Sequence, residues 1–140
     1  LRMGGPALGI SDAVNMRRSL YGASNRQDMD PMLRIHDVPD PGAHNPWRTE
    51  TITPLQGLFA LNSPFILQQA DALARWMQNG TGTGVADRVQ QAYARLFQRS
   101  PTEAELGAAL RFFSGRDNDP GAWSQYSQAL LVGNEMLFVD

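Results

Sequence analysis

Apolar residues recur at helical spacing through the second half of the chain. Residues three and four positions apart lie on one face of an α-helix, so each such set predicts a buried stripe. The predicted stripes are Ile66, Ala70, Leu73 and Met77; Val85, Val89, Ala92 and Leu96; Leu106, Ala109, Leu110 and Phe113; and Trp123, Tyr126 and Leu130, the last ending near Gly133. The alternation typical of β-strands is almost absent.

Prolines mark the predicted starts of the helices. An N-cap side chain accepts a hydrogen bond from the first turn, and proline at the next position has no amide that needs a partner. Five dipeptides fit this pattern: Asp30-Pro31, Thr53-Pro54, Ser63-Pro64, Ser100-Pro101 and Asp119-Pro120. The sequence therefore predicts five helix starts.

Two of these starts carry the spacing of a capping box, in which an acid or amide three residues after the cap bonds back to it. Thr53 is followed by Gln56, and Ser100 is followed by Glu103. We therefore interpret Gln56 and Glu103 as residues that stabilise helix starts.

The helix predicted after Pro54 carries an unusual polar residue. Leu55, Leu58, Phe59 and Asn62 share one helical stripe, so Asn62 is predicted to face inward, where its amide needs partners. It either caps the next helix together with its neighbour or holds the backbone of a loop. Both roles are structural.

The region before residue 51 has a different character. Residues 37–50 contain several prolines and glycines and predict an irregular connection that is long for a compact domain. The predicted fold class is all-α, a compact bundle of about five helices with an irregular N-terminal loop region. We expect one helical domain over residues 1–140, with 1–50 loop-rich and 51–140 forming the core.

Composition narrows the function classes. Twelve basic and fourteen acidic residues give a net charge of −2, without the basic footprint of nucleic-acid binders. All twelve basic residues are arginine, which reflects either guanidinium groups that form ion pairs or codon usage. The absence of cysteine excludes disulfides, thiolate metal sites and haem attachment through cysteine within this segment. No apolar run predicts a membrane span, and the opening residues suggest a piece of a longer protein.

One loop carries a cluster of ionisable residues that is a candidate chemical site. His36, Asp37, Asp40 and His44 lie on one loop, but their spacing matches no metal motif, so a solvated loop is the favoured interpretation. Trp47 is either a stacking platform for a sugar or an anchor within its own loop. We predict no catalytic, metal or cofactor residue, and a non-enzymatic role is favoured over an enzyme.

Several motifs, taken in order, resemble a known family. They are RRSLY at 17–21, HDVPD at 36–40, RTETITPLQGLFALNSP at 48–64, RLFQRSPTEAEL at 95–106 and NEMLFVD at 134–140. Together they resemble the C-terminal end of the planctomycete secreted domain, a domain of unknown function in large exported proteins that often carry a planctomycete cytochrome c domain. The chain departs from the family pattern at several positions, including Gln98, where the pattern has glycine before Arg99.

The resemblance implies a fragment of an exported multidomain protein, secreted or periplasmic, whose haem, if any, belongs to a neighbouring domain. It also implies a set of polar positions, to which we add Trp47 from the loop. The resulting candidate cluster is Arg17, Arg18, Asp37, Asp40, Trp47, Arg48, Thr51, Gln56, Asn62, Asn134 and Glu135. We expect Arg17, Arg18 or Arg48 to form an ion pair with Asp37, Asp40 or Glu135.

The leading functional hypothesis is a non-catalytic helical accessory or interaction domain whose partners are other domains of the same protein. One alternative is a polysaccharide-binding or glycan-hydrolysing domain that uses the 37–48 loop. Another is a docking domain for a cytochrome c domain.

Overall fold

The structure, a computed structural model, describes residues 8–10, 21–23, 25, 27–36, 38–39, 54–80, 82 and 84–137. In these ranges the chain forms helices and no strands, which confirms the all-α prediction. Five helices have nine residues or more. The helices are α1 (Pro31–Ile35), α2 (Pro54–Asn62), α3 (Pro64–Gln78), α4 (Val85–Phe97), α5 (Glu103–Phe113), α6 (Pro120–Leu131) and α7 (Asn134–Leu137).

The chain divides into two compact units, Leu1–Phe59 and Ala60–Asp140. The described part of the first unit contains α1, the first turns of α2 and an isolated parallel bridge between Gly9 and Ala23. The second unit contains α3 to α7, and no helix in the described residues has the length and apolar character to cross a bilayer. The prediction of one domain within a longer protein stays a prediction.

Four of the five predicted helix starts are confirmed. Helices α1, α2, α3 and α6 each begin at the proline of the predicted dipeptide. The carboxylates of Asp30 and Asp119 accept hydrogen bonds from the amides of Met32 and Gly121, both at 2.9 Å. Ser63 occupies the N-cap of α3 without a side-chain hydrogen bond to the first turn. Thr53, the predicted cap of α2, lies outside the described residues.

The fifth predicted start is wrong by two residues. The N-cap of α5 is Thr102, and its capping box is completed by Glu105, so Ser100 and Glu103 do not have the predicted roles. The Thr102 hydroxyl accepts from the Glu105 amide at 3.3 Å, and the Glu105 carboxylate accepts from the Thr102 amide at 2.7 Å. Both candidate pairs satisfy the same local pattern.

The core of the second unit is built largely from the predicted stripes, to which the structure adds Ala74, Tyr93 and Ala122. Helix α3 packs chiefly against α6, and α4 packs chiefly against α5. Trp123 of α6 is fully buried, stacks on Phe113 of α5 with ring centroids 4.1 Å apart, and donates its indole N–H to the Asp117 carbonyl at 2.8 Å. The buried core residues are Leu73, Ala74, Met77, Val89, Ala92, Tyr93, Ala109, Phe113, Ala122, Trp123 and Leu130.

Predicted inward positions on two helices face solvent instead. Leu110 of α5 is 45% exposed, because the buried arc of that helix is limited to the side that carries Ala109 and Phe113. Asn62, the last residue of α2, is also exposed, as are Leu55 and Leu58 on the same stripe. The stripe of α2 was therefore predicted correctly as a periodic pattern and wrongly as a buried face.

The end of α4 shows why the family pattern has glycine at position 98. Gln98 is the C-cap of α4 and has φ 57°, a left-handed conformation that strains any residue with a β-carbon. We therefore expect Gln98→Gly to raise the free energy of unfolding by about 0.5–1 kcal/mol. Urea denaturation checks this, with Gln90→Gly in the interior of α4 as the control that should lower stability by about 1 kcal/mol. Equal destabilisation by both changes would contradict the explanation.

Candidate functional site

The most connected polar group in the described residues is the guanidinium of Arg99. The left-handed turn at Gln98 ends α4 and places Arg99 between the start of α5 and α7. Its Nε and Nη2 donate to the Glu135 carboxylate at 2.8 and 2.6 Å. Its Nη1 and Nη2 donate to the Glu105 carboxylate at 2.9 and 2.8 Å, and Nη1 also donates to the Ser100 carbonyl at 3.1 Å. These contacts use all five N–H donors of an arginine.

Glu105 has two structural roles at once. It completes the capping box of α5 and also accepts both hydrogen bonds of the Arg99 fork. The hydrogen bonds from Arg99, followed by those from Thr102, lower the pKa of Glu105 to about 2. Glu105 is therefore ionised at neutral pH and is not suited to act as a general acid.

Glu135 attaches the short helix α7 to the same arginine. The ion pair with Arg99 lowers the pKa of Glu135 and joins residues 36 positions apart in the chain. About a third of the Arg99 and Glu105 side chains and about half of the Glu135 side chain stay exposed. We name Arg99, Thr102, Glu105 and Glu135 the Arg99 cluster.

Aromatic rings lie beneath the Arg99 cluster. The Arg99 guanidinium carbon is 5.2 Å from the centre of the Tyr93 ring and 5.7 Å from that of Phe97, within the range of cation–π attraction. Burial raises the pKa of the phenols of Tyr93 and Tyr126. Both phenols are therefore neutral at physiological pH.

This geometry favours a structural role for the Arg99 cluster. One cation and two carboxylates leave a net negative charge, and the donors of the arginine are already used. No three His, Asp or Glu side chains within the described ranges are arranged to hold a metal ion. The cluster fixes the ends of α4, α5 and α7 relative to one another.

One residue of the predicted polar cluster, Gln56 of α2, contacts the end of α1. Its Nε2 donates to the Ile35 carbonyl at 2.9 Å and so links α2 to the last turn of α1. His36 lies beside it, with Nδ1 2.8 Å from the Met32 carbonyl and its ring in edge contact with Phe59, whose centroid is 5.4 Å away. Gln56 and His36 thus serve the local packing of the first unit.

The other described candidates lie apart from Gln56 along the chain. Asn62 ends α2, and both Asn134 and Glu135 lie on α7, where all three side chains are exposed. The remaining candidates lie outside the described residues. They are Arg17, Arg18, Asp37, Asp40, Trp47, Arg48 and Thr51. The predicted ion pair of Arg17, Arg18 or Arg48 with Asp37 or Asp40 therefore stays a prediction.

Sequence reasoning included Glu135 but missed Arg99 as its partner and Glu105 as the capping acid. Two signals were present. Arg99 stands in one of the motifs of the family resemblance, and Thr102 with Glu105 repeats the capping spacing two residues after Ser100 with Glu103. Neither signal by itself shows which carboxylates Arg99 binds.

Comparison with known proteins gives a family but no activity. No curated protein and no solved structure matches the chain. Residues 8–113 match the model of the PSD1 family, described as a protein of unknown function (DUF1553). Since this match covers well over half of the chain, the protein belongs to the PSD1 family.

Proposed function

We propose that this chain is a non-catalytic helical accessory domain of an exported multidomain protein and that α2 packs against another domain of that protein. The observation that carries the proposal is the surface of α2. Leu55, Leu58 and Leu61 are 64%, 54% and 50% exposed on a helix of nine residues. Apolar side chains grouped in this way on a surface typically mark an interaction site.

The charge distribution supports an apolar partner. No Asp, Glu, Lys or Arg occurs between Glu50 and Asp71, so α2 and the first half of α3 carry no ionisable side chain. A contact there would cover apolar area without removing a charge from water, which is the favourable case for a permanent interface. Any haem of the complete protein belongs to a neighbouring domain in this proposal.

The test introduces a charge on α2 in the complete exported protein. Leu58→Glu should lower the melting temperature of the domain in calorimetry by several degrees and expose it to limited proteolysis, because a buried carboxylate without a partner is costly. Leu110→Glu is the matched control, since Leu110 is an exposed leucine of α5. It should leave both measurements nearly unchanged.

The isolated chain supplies the second control. Leu58 is more than half exposed there, so Leu58→Glu should leave its helical circular dichroism and melting temperature close to those of the wild type. If the complete protein also tolerates Leu58→Glu without a change in melting or proteolysis, the face of α2 is not covered and the proposal is wrong.

A further inference from the structure

An open groove of about 480 Å³ lies along the outer side of α4. Four lining residues come from one face of that helix, at the spacing expected for neighbours on a helix surface. The other two belong to the segments before and after α4. The lining residues are Gly82, Asp87, Gln90, Gln91, Ala94 and Ser100.

The polar side chains of this groove form no hydrogen bonds with other described residues. In the part of the chain that the structure describes, the carboxylate of Asp87, the amides of Gln90 and Gln91 and the hydroxyl of Ser100 make no hydrogen bond to another residue. The Arg99 cluster differs in this respect, because its polar groups bond to one another. The groove therefore presents donors and acceptors that are available to a ligand.

Gly82, which precedes α4, lies at one end of the groove. A β-carbon on Gly82 would lie 2.7 Å from the Asp87 β-carbon, and one on Gly80 would lie 2.9 Å from Gln91 Oε1. Glycine at position 82 therefore leaves room for the side chain of Asp87. Glycine at position 80 therefore leaves room for the amide oxygen of Gln91.

The lining chemistry selects the class of ligand. Amide and hydroxyl groups both donate and accept, so they match hydroxyl groups of a ligand in either direction. Asp87 repels anions, and a single carboxylate is too few for a hard cation such as Ca²⁺. Asp87 and Ala94 are seven positions apart, which is about 10 Å along a helix and matches a ligand of about two linked sugar rings.

We propose that this groove binds a neutral oligosaccharide, with Asp87, Gln90, Gln91 and Ser100 bonding to its hydroxyl groups. The site lies on α4 and is independent of the interface proposed on α2. It also differs from the 37–48 loop predicted from the sequence as the alternative polysaccharide site.

The experiment titrates the ¹⁵N-labelled chain with neutral xylo-, cello-, malto- and chito-oligosaccharides and follows amide chemical shifts. Shifts are expected at Gly82, at Ser100 and between Asp87 and Ala94, with a Kd between about 0.1 and 1 mM for the best ligand. The double variant Gln90→Ala/Gln91→Ala should weaken binding at least about tenfold.

Gln68→Ala is the matched control, since Gln68 is an exposed glutamine of α3 outside the groove. It should leave the Kd unchanged, and circular dichroism should show that all variants stay helical. The proposal is overturned if no neutral oligosaccharide shifts these amides at about 10 mM. It is also overturned if the shifts lie elsewhere, or if a sulfated oligosaccharide binds more tightly than its neutral counterpart. None of these results affects the Leu58→Glu test.

Discussion

Trp123→Ala is expected to lower the free energy of unfolding by about 3–5 kcal/mol, the range measured for removal of a buried tryptophan. Trp123 is fully buried, stacks on Phe113, and donates its indole N–H to the Asp117 carbonyl. Its removal leaves a cavity and also removes the hydrogen bond to the Asp117 carbonyl. Since domains of this size have a total stability of about 5–15 kcal/mol, the variant should be partly unfolded at 37 °C.

Urea denaturation at 25 °C measures this effect, and two variants separate its causes. Trp123→Phe keeps an aromatic ring beside Phe113 and loses the hydrogen bond. Its loss of stability should therefore be less than half of the loss in Trp123→Ala. Leu110→Ala removes an exposed side chain and should change stability by less than about 0.5 kcal/mol. A loss of under about 1 kcal/mol in Trp123→Ala would show that the stack is not central to the core.

Arg99→Ala is expected to lower the free energy of unfolding at neutral pH. It should also make that free energy depend less steeply on pH in the acidic range. The hydrogen bonds from Arg99, followed by those from Thr102, lower the pKa of Glu105 from an ordinary value of 4.5 to about 2, and Arg99 also lowers the pKa of Glu135. A carboxylate whose pKa is lower in the folded state stabilises the fold above its unfolded pKa, and this contribution is lost as pH falls through the folded pKa. The wild type should therefore lose stability between pH 4.5 and about 2.

The midpoints of urea unfolding across that pH range test the prediction. Arg99→Ala should show a shallower loss than the wild type, and Arg99→Lys should lie between them because lysine keeps the charge without the planar fork. Arg111→Ala changes an exposed arginine of α5 and should keep the wild-type slope. Added salt should reduce the difference in slope between Arg99→Ala and the wild type, since the ion-paired side chains of the Arg99 cluster are partly exposed. A slope in Arg99→Ala that equals the wild-type slope would exclude the Arg99 cluster as its source.

Arginine side chains contact aromatic rings in addition to forming ion pairs. Besides Arg99, the guanidinium carbon of Arg95 lies 4.7 Å from the centre of the Trp76 ring, and that of Arg116 lies 5.2 Å from Phe112. Arg116 also pairs with Asp119, the N-cap of α6. Planar guanidinium groups stack on aromatic rings while keeping their edge donors available, which lysine does not match. This use gives the all-arginine composition a physical role at these positions.

Local signals in the sequence located most of the helices. Proline after a capping residue restricts the backbone of the first turn, so α1, α2, α3 and α6 begin where predicted. Apolar spacing defines one face of each helix. These signals act within one or two turns and need no knowledge of distant residues. The same logic explains Gln98, whose left-handed conformation fits the glycine of the family pattern.

Tertiary structure decided between alternatives that were locally equivalent. Ser100 with Glu103 and Thr102 with Glu105 have the same spacing, but only the second pair places its carboxylate against Arg99. The partner of Glu135 is likewise set by the packing of α7 beside α4, because no local rule joins residues 36 positions apart.

The sequence by itself thus determined the helical class, most of the predicted helix starts and the periodic faces, since these follow from short-range sterics and hydrogen bonding. Only the tertiary structure determined which faces are buried. The stripes of α3 and α6 meet each other, whereas the leucines of α2 stay exposed although their spacing is equally regular. Burial depends on whether another apolar surface lies opposite, and periodicity along one helix carries no information about that surface.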